Sequence, residues 1–202
     1  MSNAPDWRQA RRDSARAAIV AAAWEAAREA GLAGLSIRDL ARRAGISTPT
    51  IYAYFASKND VYDAMFEEAA EEFEACLAAP PRDTEPGAIL LEGARRFMEF
   101  CRSDVPRYQL LFQRTIPGFV PSAAAYAPAL RALEITVDRL ASAGITDRAA
   151  LDLWTALNTG LVDQQISNDP DGERWSSILD QAVAMYLAHT RPSTPERRSP
   201  SQ

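Results

Sequence analysis

Between Leu35 and Phe55, two short runs with helical apolar spacing, Ile37–Ala44 and Thr48–Phe55, meet at the three-residue turn Gly45-Ile46-Ser47. No other feature of the chain restricts its fold so tightly. Helices this short hold only when pressed against each other and against a third element. A glycine opening so tight a turn supplies the left-handed backbone that other residues resist. Ala41 is small enough to let the second helix cross the first closely, and Leu40, Ile46, Ile51 and Phe55 are placed to fill the seam. A short rod held at a fixed angle can enter the B-DNA major groove, which is about 12 Å wide.

The flanking sequence also reads as helix. It contains no sustained alternation of β-branched residues and no Asn-Gly hairpin turn. A first helix is expected from Asp13 to Ala30, with Ile19, Ala22, Ala23, Ala26 and Ala27 on one face and Gly31 as its stop. Ser36 and Asp39 stand at capping-box spacing before the first short helix, Thr48-Pro49 marks a start for the second, and Ser57 with Asp60 repeats the box before a long helix, Lys58 to Ala78, that Pro80-Pro81 ends. Further helices are expected over 85–103, 106–113, 122–143, 146–167 and 172–190. The fold class is therefore all-α, about nine helices, the short ones first and the long ones after.

Charge divides along the same line. Residues 1–60 hold nine basic and six acidic side chains, a net +3, whereas residues 61–190 hold ten and twenty, a net −10. A basic end on an acidic body suits a head that binds a polyanion and a body that does not touch it. Arg8, Arg11, Arg12 and Arg16 read either as a solubilising tail or as an arm reaching a minor groove or the backbone. Cys76 and Cys101 form no disulfide framework or ligand pair, and the one histidine, His189, leaves a zinc site or a hydrolytic triad without its parts. No glycine-rich phosphate loop occurs, so neither an enzyme nor a cofactor nor a metal is expected. With no signal-peptide pattern and no run of roughly 18 apolar residues, a cytoplasmic protein without membrane contact is expected.

The outward positions of the second short helix are Thr48, Thr50, Tyr52, Ala53 and Tyr54, an uncharged surface of hydroxyls and a methyl. Hydroxyls serve base edges or phosphates, and Pro49 or Ala53 suits a thymine methyl. Arg38 is the long base-reading side chain in range and is expected on guanine. Lys58, in the first turn of the next helix, would meet a phosphate together with free backbone N–H groups. By residue type alone, Ser36, Thr48 and Ser57 also read as plain caps, and Tyr52 as core.

The stretch Leu35-Ser-Ile-Arg-Asp-Leu-Ala-Arg-Arg-Ala-Gly-Ile-Ser-Thr-Pro-Thr-Ile-Tyr-Ala-Tyr-Phe-Ala-Ser-Lys58 resembles the DNA-binding domain of the tetracycline-repressor (TetR/AcrR) family, and the likeness extends back through Ile19–Gly31 over about fifty residues. The resemblance implies operator contacts from Arg38, Thr48, Thr50, Tyr52 and Tyr54, and phosphate contacts from Ser36 and Lys58. One departure is Ala27, where the family usually has a large aromatic; Trp24, one turn earlier, is expected to fill that volume. The implied organisation is a flexible arm over 1–12, a three-helix helix-turn-helix domain over 13–57, a ligand-binding and dimerisation domain over 58–190, and a disordered tail over 191–202.

A single helix-turn-helix makes few base contacts, and pairing sets two of them on successive grooves of a palindromic double-stranded operator. The stripe Trp175, Ile178, Leu179, Ala182 and Tyr186, with Gly160 and Leu161 on the preceding helix, is expected to form a four-helix homodimer interface, the arrangement the resemblance also implies. Phe97, Phe100, Tyr108, Phe112, Phe119 and Tyr126 gather in sequence around the loop Ile116–Pro121, and suggest a site for a small, largely apolar effector. Trp154 would form a wall of that site, and Thr155 and Asn158 its polar contacts. The function expected is a ligand-responsive transcription regulator, most simply a repressor released by its effector. The rival is a DNA-binding dimer without an effector, whose body serves pairing or a protein partner.

Overall fold

The computed structural model describes residues 7–190, and the expected tail over 191–202 lies outside the described residues. All regular structure among the described residues is helical. The nine α-helices are α1 (Trp7–Ala30), α2 (Ile37–Arg43), α3 (Thr48–Tyr52), α4 (Lys58–Ala78), α5 (Pro86–Ser103), α6 (Val105–Phe112), α7 (Ala123–Ser142), α8 (Arg148–Asn168) and α9 (Leu179–Thr190), with 3₁₀ turns at Leu32–Gly34 and Ser176–Ile178. None is long and apolar enough to cross a membrane.

Most boundaries follow local chemistry. Ser57 and Asp60 form the full reciprocal box at the start of α4: Asp60 N–H donates to Ser57 Oγ (3.2 Å) and Ser57 N–H donates to Asp60 Oδ2 (3.1 Å). At the end of α2, Ile46 N–H reaches the Ala41 carbonyl (3.0 Å) and Gly45 N–H that of Arg42 (3.3 Å), a paired closure that requires the positive φ of Gly45, 66°.

Most boundaries lie within two residues of expectation, and three differ by more. α1 begins at Trp7 rather than Asp13, so residues 7–12 of the expected arm are helical. That stretch is rich in Arg, Ala and Gln and contains no Gly or Pro, so propensity carries the helix past its last buried residue. α3 stops at Tyr52 instead of Phe55, because Ala53, Tyr54 and Phe55 fold back to the carbonyls of Thr50 and Ile51 in a tight turn. α9 starts at Leu179 instead of Gly172. Gln165, fully buried on α8, accepts from the N–H groups of Trp175 (2.9 Å) and Ser176 (3.0 Å) and donates to the carbonyls of Asp169 and Gly172. Those backbone groups are satisfied by a side chain and not by a helix.

The chain divides into two compact units, one comprising Met1–Cys76 with Phe100–Ala132 and the other Leu77–Glu99 with Leu133–Gln202. The division does not fall at residue 57. Val61, Tyr62, Met65, Phe66, Ala69 and Ala70 of α4 are buried in the same core as Ile19, Trp24, Leu40, Ile51 and Phe55. The head is therefore larger than three helices, and most of α4 belongs to it. Trp24 and Ala27 are 2% and 1% exposed and belong to one core. Truncating a buried Trp typically costs about 3–5 kcal/mol.

Candidate nucleic-acid interface

The short helices present a surface whose inner side is committed and whose outer side is largely open. Leu40 and Ile51 are fully buried and Phe55 nearly so. Arg16 of α1 closes the far end, donating from Nη1 to the Tyr54 carbonyl (2.7 Å) with its guanidinium 4.3 Å from the Phe55 ring centroid. Behind α2, Arg43 bridges two helices: Nε donates to Asp39 (2.6 Å) and Nη1 to Glu29 of α1 (3.0 Å). Hydrogen bonds from Arg43, joined at Asp39 by Arg42, hold the Asp39 and Glu29 carboxyls below their ordinary range. Asp39 is thus used by arginines and not by the cap, and Ser36, the N-cap of α2, makes no side-chain cap bond. Its hydroxyl remains exposed at the surface.

Of the residues expected to face DNA, Arg38, Pro49, Tyr52 and Ala53 are exposed, with Tyr52 at 53%. Arg38 is exposed in the first turn of α2. Thr48 and Thr50 are half-buried at the start of α3. Thr48 is not the cap; Ser47 is, accepting from the Thr50 N–H (3.3 Å) and sharing a hydroxyl hydrogen bond with Thr50 Oγ1 (2.7 Å). Tyr54 is half-buried against the core of the head, so its ring is partly structural. Lys58 lies with Nζ 5.3 Å from the Tyr62 ring centroid at the N-terminus of α4.

The charge network behind this surface was not legible in the sequence. Arg107 of α6 pairs with Asp104 (3.2 Å), with Glu68 of α4 (3.2 Å) and with Glu72, and stacks 4.7 Å from the Trp24 ring centroid. Trp24 Nε1 donates to Glu68 (2.9 Å), and Arg28 of α1 pairs with Asp104 (2.6 Å). Arg131 of α7 pairs with Glu74 (2.7 Å). Three carboxylates in the acidic stretch Glu67–Glu74 are therefore inter-helix partners, not a purely solvated face.

The residues expected to line an effector site are distributed between the two units. In the first, Phe119 and Tyr126 pack on Tyr62 and Phe66 of α4, at 5.6 and 5.8 Å between centroids. Phe100 and Phe112 meet Phe73, farther along α4, at 5.1 and 5.2 Å, with Tyr108 5.8 Å from Phe112. The rings thus seat on α4, and Phe73 is a member the sequence reading missed. Phe119 is partly buried and packs against the head's core. In the second unit, Phe97 is half-buried on α5, and Trp154 lies 5.0 Å from Tyr186. Thr155 is exposed and donates to the Leu151 carbonyl (3.0 Å). Asn158 is 6% exposed; its Nδ2 donates to the Trp154 carbonyl (2.8 Å), and its buried Oδ1 has no partner.

The residues expected to pair two chains divide by exposure. Leu161, Leu179, Ala182 and Tyr186 are buried in the chain's own packing, Tyr186 donating to the Ala150 carbonyl (2.9 Å). Trp175 is half-buried. Gly160 and Ile178 are exposed, as are Leu153, Ala156 and Met185, the last 64% exposed.

Residues 19–65 match the family model described as bacterial regulatory proteins, tetR family. The HTH-type transcriptional activator FasR of Mycolicibacterium smegmatis is 28% identical over 103 residues, 50% of this chain and 47% of that protein. The chain thus spans about half the length of that relative. The HTH-type transcriptional regulator EthR of the same organism is 29% identical over 195 residues, 88% of this chain and 84% of that one. Among solved structures, a TetR variant from Acinetobacter baumannii AYE in complex with minocycline superposes with a TM-score of 0.60 at 22% identity, covering 86% of this chain and 94% of that one. The two sequence relatives are named as transcription regulators, the class to which the motif pointed in place of an enzyme.

Proposed function

We propose, from the match of residues 19–65 to the family model of bacterial regulatory proteins, tetR family, that the chain is a transcription regulator that grips a palindromic operator as a homodimer and is released by a small, largely apolar effector. Repression is the mode proposed. The observation that carries the reading is the open outer face of the helix-turn-helix, with Arg38, Pro49, Tyr52 and Ala53 exposed around a buried seam. In this reading Arg38 contacts guanine, Tyr52 and the threonines serve base edges or phosphates, and Ser36 and Lys58 take phosphates.

Pairing follows from affinity, since two linked heads reach successive grooves about 34 Å apart. The open face of Leu153, Ala156, Gly160, Ile178 and Met185 supports it: at Gly160 an added Cβ would meet nothing within 4 Å, so the close approach that a glycine permits is left for a second copy. For the effector, the support is Asn158, whose buried Oδ1 would accept from a ligand N–H or O–H, and the bound minocycline of the structurally similar A. baumannii protein.

An effector that biases α4 or α6 acts on the head directly, because both helices share its core and its charge network. A tenfold loss of operator affinity needs about 1.4 kcal/mol of preference for the released state. The test is selection of duplexes from a random pool by the full chain, followed by titration with apolar metabolites that raise its melting temperature. Recovery of a palindrome, released by at least one stabilising compound, is the expected result. A palindrome whose binding no stabilising compound alters would leave a DNA-binding dimer without an effector.

A further inference from the structure

α1 is longer than its packing requires. Its first buried residue is Ile19, and residues 7–14 are all exposed, so about two turns project beyond the head's core. On this overhang and its root lie Arg8, Arg11, Arg12 and Arg16. At 100° per residue the four fall within about 140° of arc, one side of the helix. Asp13 is the acidic residue of the segment 7–16; it accepts from Gln9 (2.9 Å) on the adjoining side.

Arg16 fixes the direction in which that side faces. Its hydrogen bond to the Tyr54 carbonyl and its stacking on Phe55 turn it toward the C-terminal end of α3, the helix that carries the exposed reading face. The arginines farther out therefore continue from that face, away from the core. Arg11 and Arg12 are exposed and make no hydrogen bond or ion pair among the described residues, and Arg8 lies 5.4 Å from the Trp7 ring centroid. From Arg16 to Arg8 the helix rises about 12 Å. Along a duplex that distance spans three to four phosphates of one strand, at about 3.4 Å each.

We propose that the amino-terminal overhang of α1 is a second DNA-binding element, which lays its arginine side on the phosphate backbone beside the groove that α3 enters. The proposal rests on the helix-turn-helix reading above. The overhang reads no sequence: guanidinium groups on phosphates set orientation and affinity, while the bases are left to α2 and α3. Unlike a solubilising tail, it holds its charges in a fixed row on a helix anchored to the head.

The test uses the full chain and a duplex it selects from a random pool, with fluorescence anisotropy followed between about 50 and 200 mM salt. Arg11→Gln/Arg12→Gln is compared with Arg148→Gln/Arg174→Gln, an equal charge change in the second unit. Each phosphate contact contributes about 0.9 to the slope of log affinity against log salt, so the overhang variant should lose about 1.8 per subunit. Its affinity should fall about tenfold at the low-salt end, with preference for the selected over a scrambled duplex unchanged. The control pair should keep the wild-type slope. An overhang variant with wild-type slope and affinity overturns the proposal, as does an equal loss in the control, which would assign the effect to net charge. Altered preference at an unaltered slope also overturns it, because the segment would then read bases. A wild-type chain that selects no duplex overturns the helix-turn-helix reading itself, which is a separate and distinguishable result.

Discussion

The Arg107 guanidinium lies over the Trp24 ring, 4.7 Å from its centroid, and both side chains also bond the same carboxylate, Glu68. One contact thus joins three helices of the first unit, α1, α4 and α6. The Arg107 side chain is 13% exposed, so this network is less screened than a surface pair. Replacing Arg107 with Met keeps the aliphatic stem but takes one partner from each of Asp104, Glu68 and Glu72, leaving Asp104 its pair with Arg28 and Glu68 its bond from Trp24. We expect a loss of about 1–3 kcal/mol in urea unfolding. A loss below about 0.5 kcal/mol would place the network among ordinary surface pairs.

Gly160→Leu separates pairing from folding. An added Cβ meets nothing within 4 Å in the single chain, so helix content and melting at low concentration should at least match wild type. In the proposed interface the same side chain would hold the helices apart. Sedimentation should show a dimer for wild type and a monomer for the variant at micromolar concentration. An unchanged dimer would locate the pairing surface elsewhere.

These two sites show what the sequence could and could not disclose. The helix-turn-helix was legible because its instructions are local: Gly45 for the turn, the Ser57–Asp60 box, and apolar residues at helical spacing. The stripe on α9 was equally visible, but periodicity marks burial without naming the partner. Leu179, Ala182 and Tyr186 prove to be buried in the chain itself, and the open face carries smaller or isolated apolar residues such as Ala156 and Met185. Arg107, Phe73 and Gln165 were illegible for another reason. Their partners lie on other helices or in a turn whose shape the side chain itself creates, and nothing in neighbouring residues announces them.

Base reading and phosphate anchoring should separate in the behaviour of two single variants. Arg38→Ala is expected to cost about 1–3 kcal/mol on the selected duplex and to relax preference at one base position. Lys58→Met should weaken all duplexes alike and reduce the salt slope by about 0.9 per subunit. Competition binding with single-position operator variants distinguishes them. An Arg38→Ala chain with unrelaxed preference would remove Arg38 from the reading set.

The pairing of α2 with α1 carries a pH signature. Hydrogen bonds from Arg43 and Arg42 lower the Asp39 carboxyl below 3.8, and those from Arg43 lower Glu29 below 4.5. A carboxyl depressed in the folded state leaves the unfolded chain binding more protons as pH falls. The stabilisation is therefore complete above those ordinary values and is lost as pH drops through the lower folded ones. The difference in unfolding free energy between wild type and Asp39→Asn/Glu29→Gln should stay constant from about pH 7 to 5 and shrink below about pH 4. A difference that widens on acidification would contradict the assignment.

The central claim is that two copies of this head hold one duplex at a set spacing. Its most direct test is binding of the full chain to its selected palindrome, with and without five base pairs inserted between the half-sites, about half a helical turn. The account predicts two chains per duplex on the intact palindrome, and loss of at least tenfold in affinity when the insertion turns one half-site to the opposite side. Equal affinity for the two duplexes, or one chain bound to each, would contradict it.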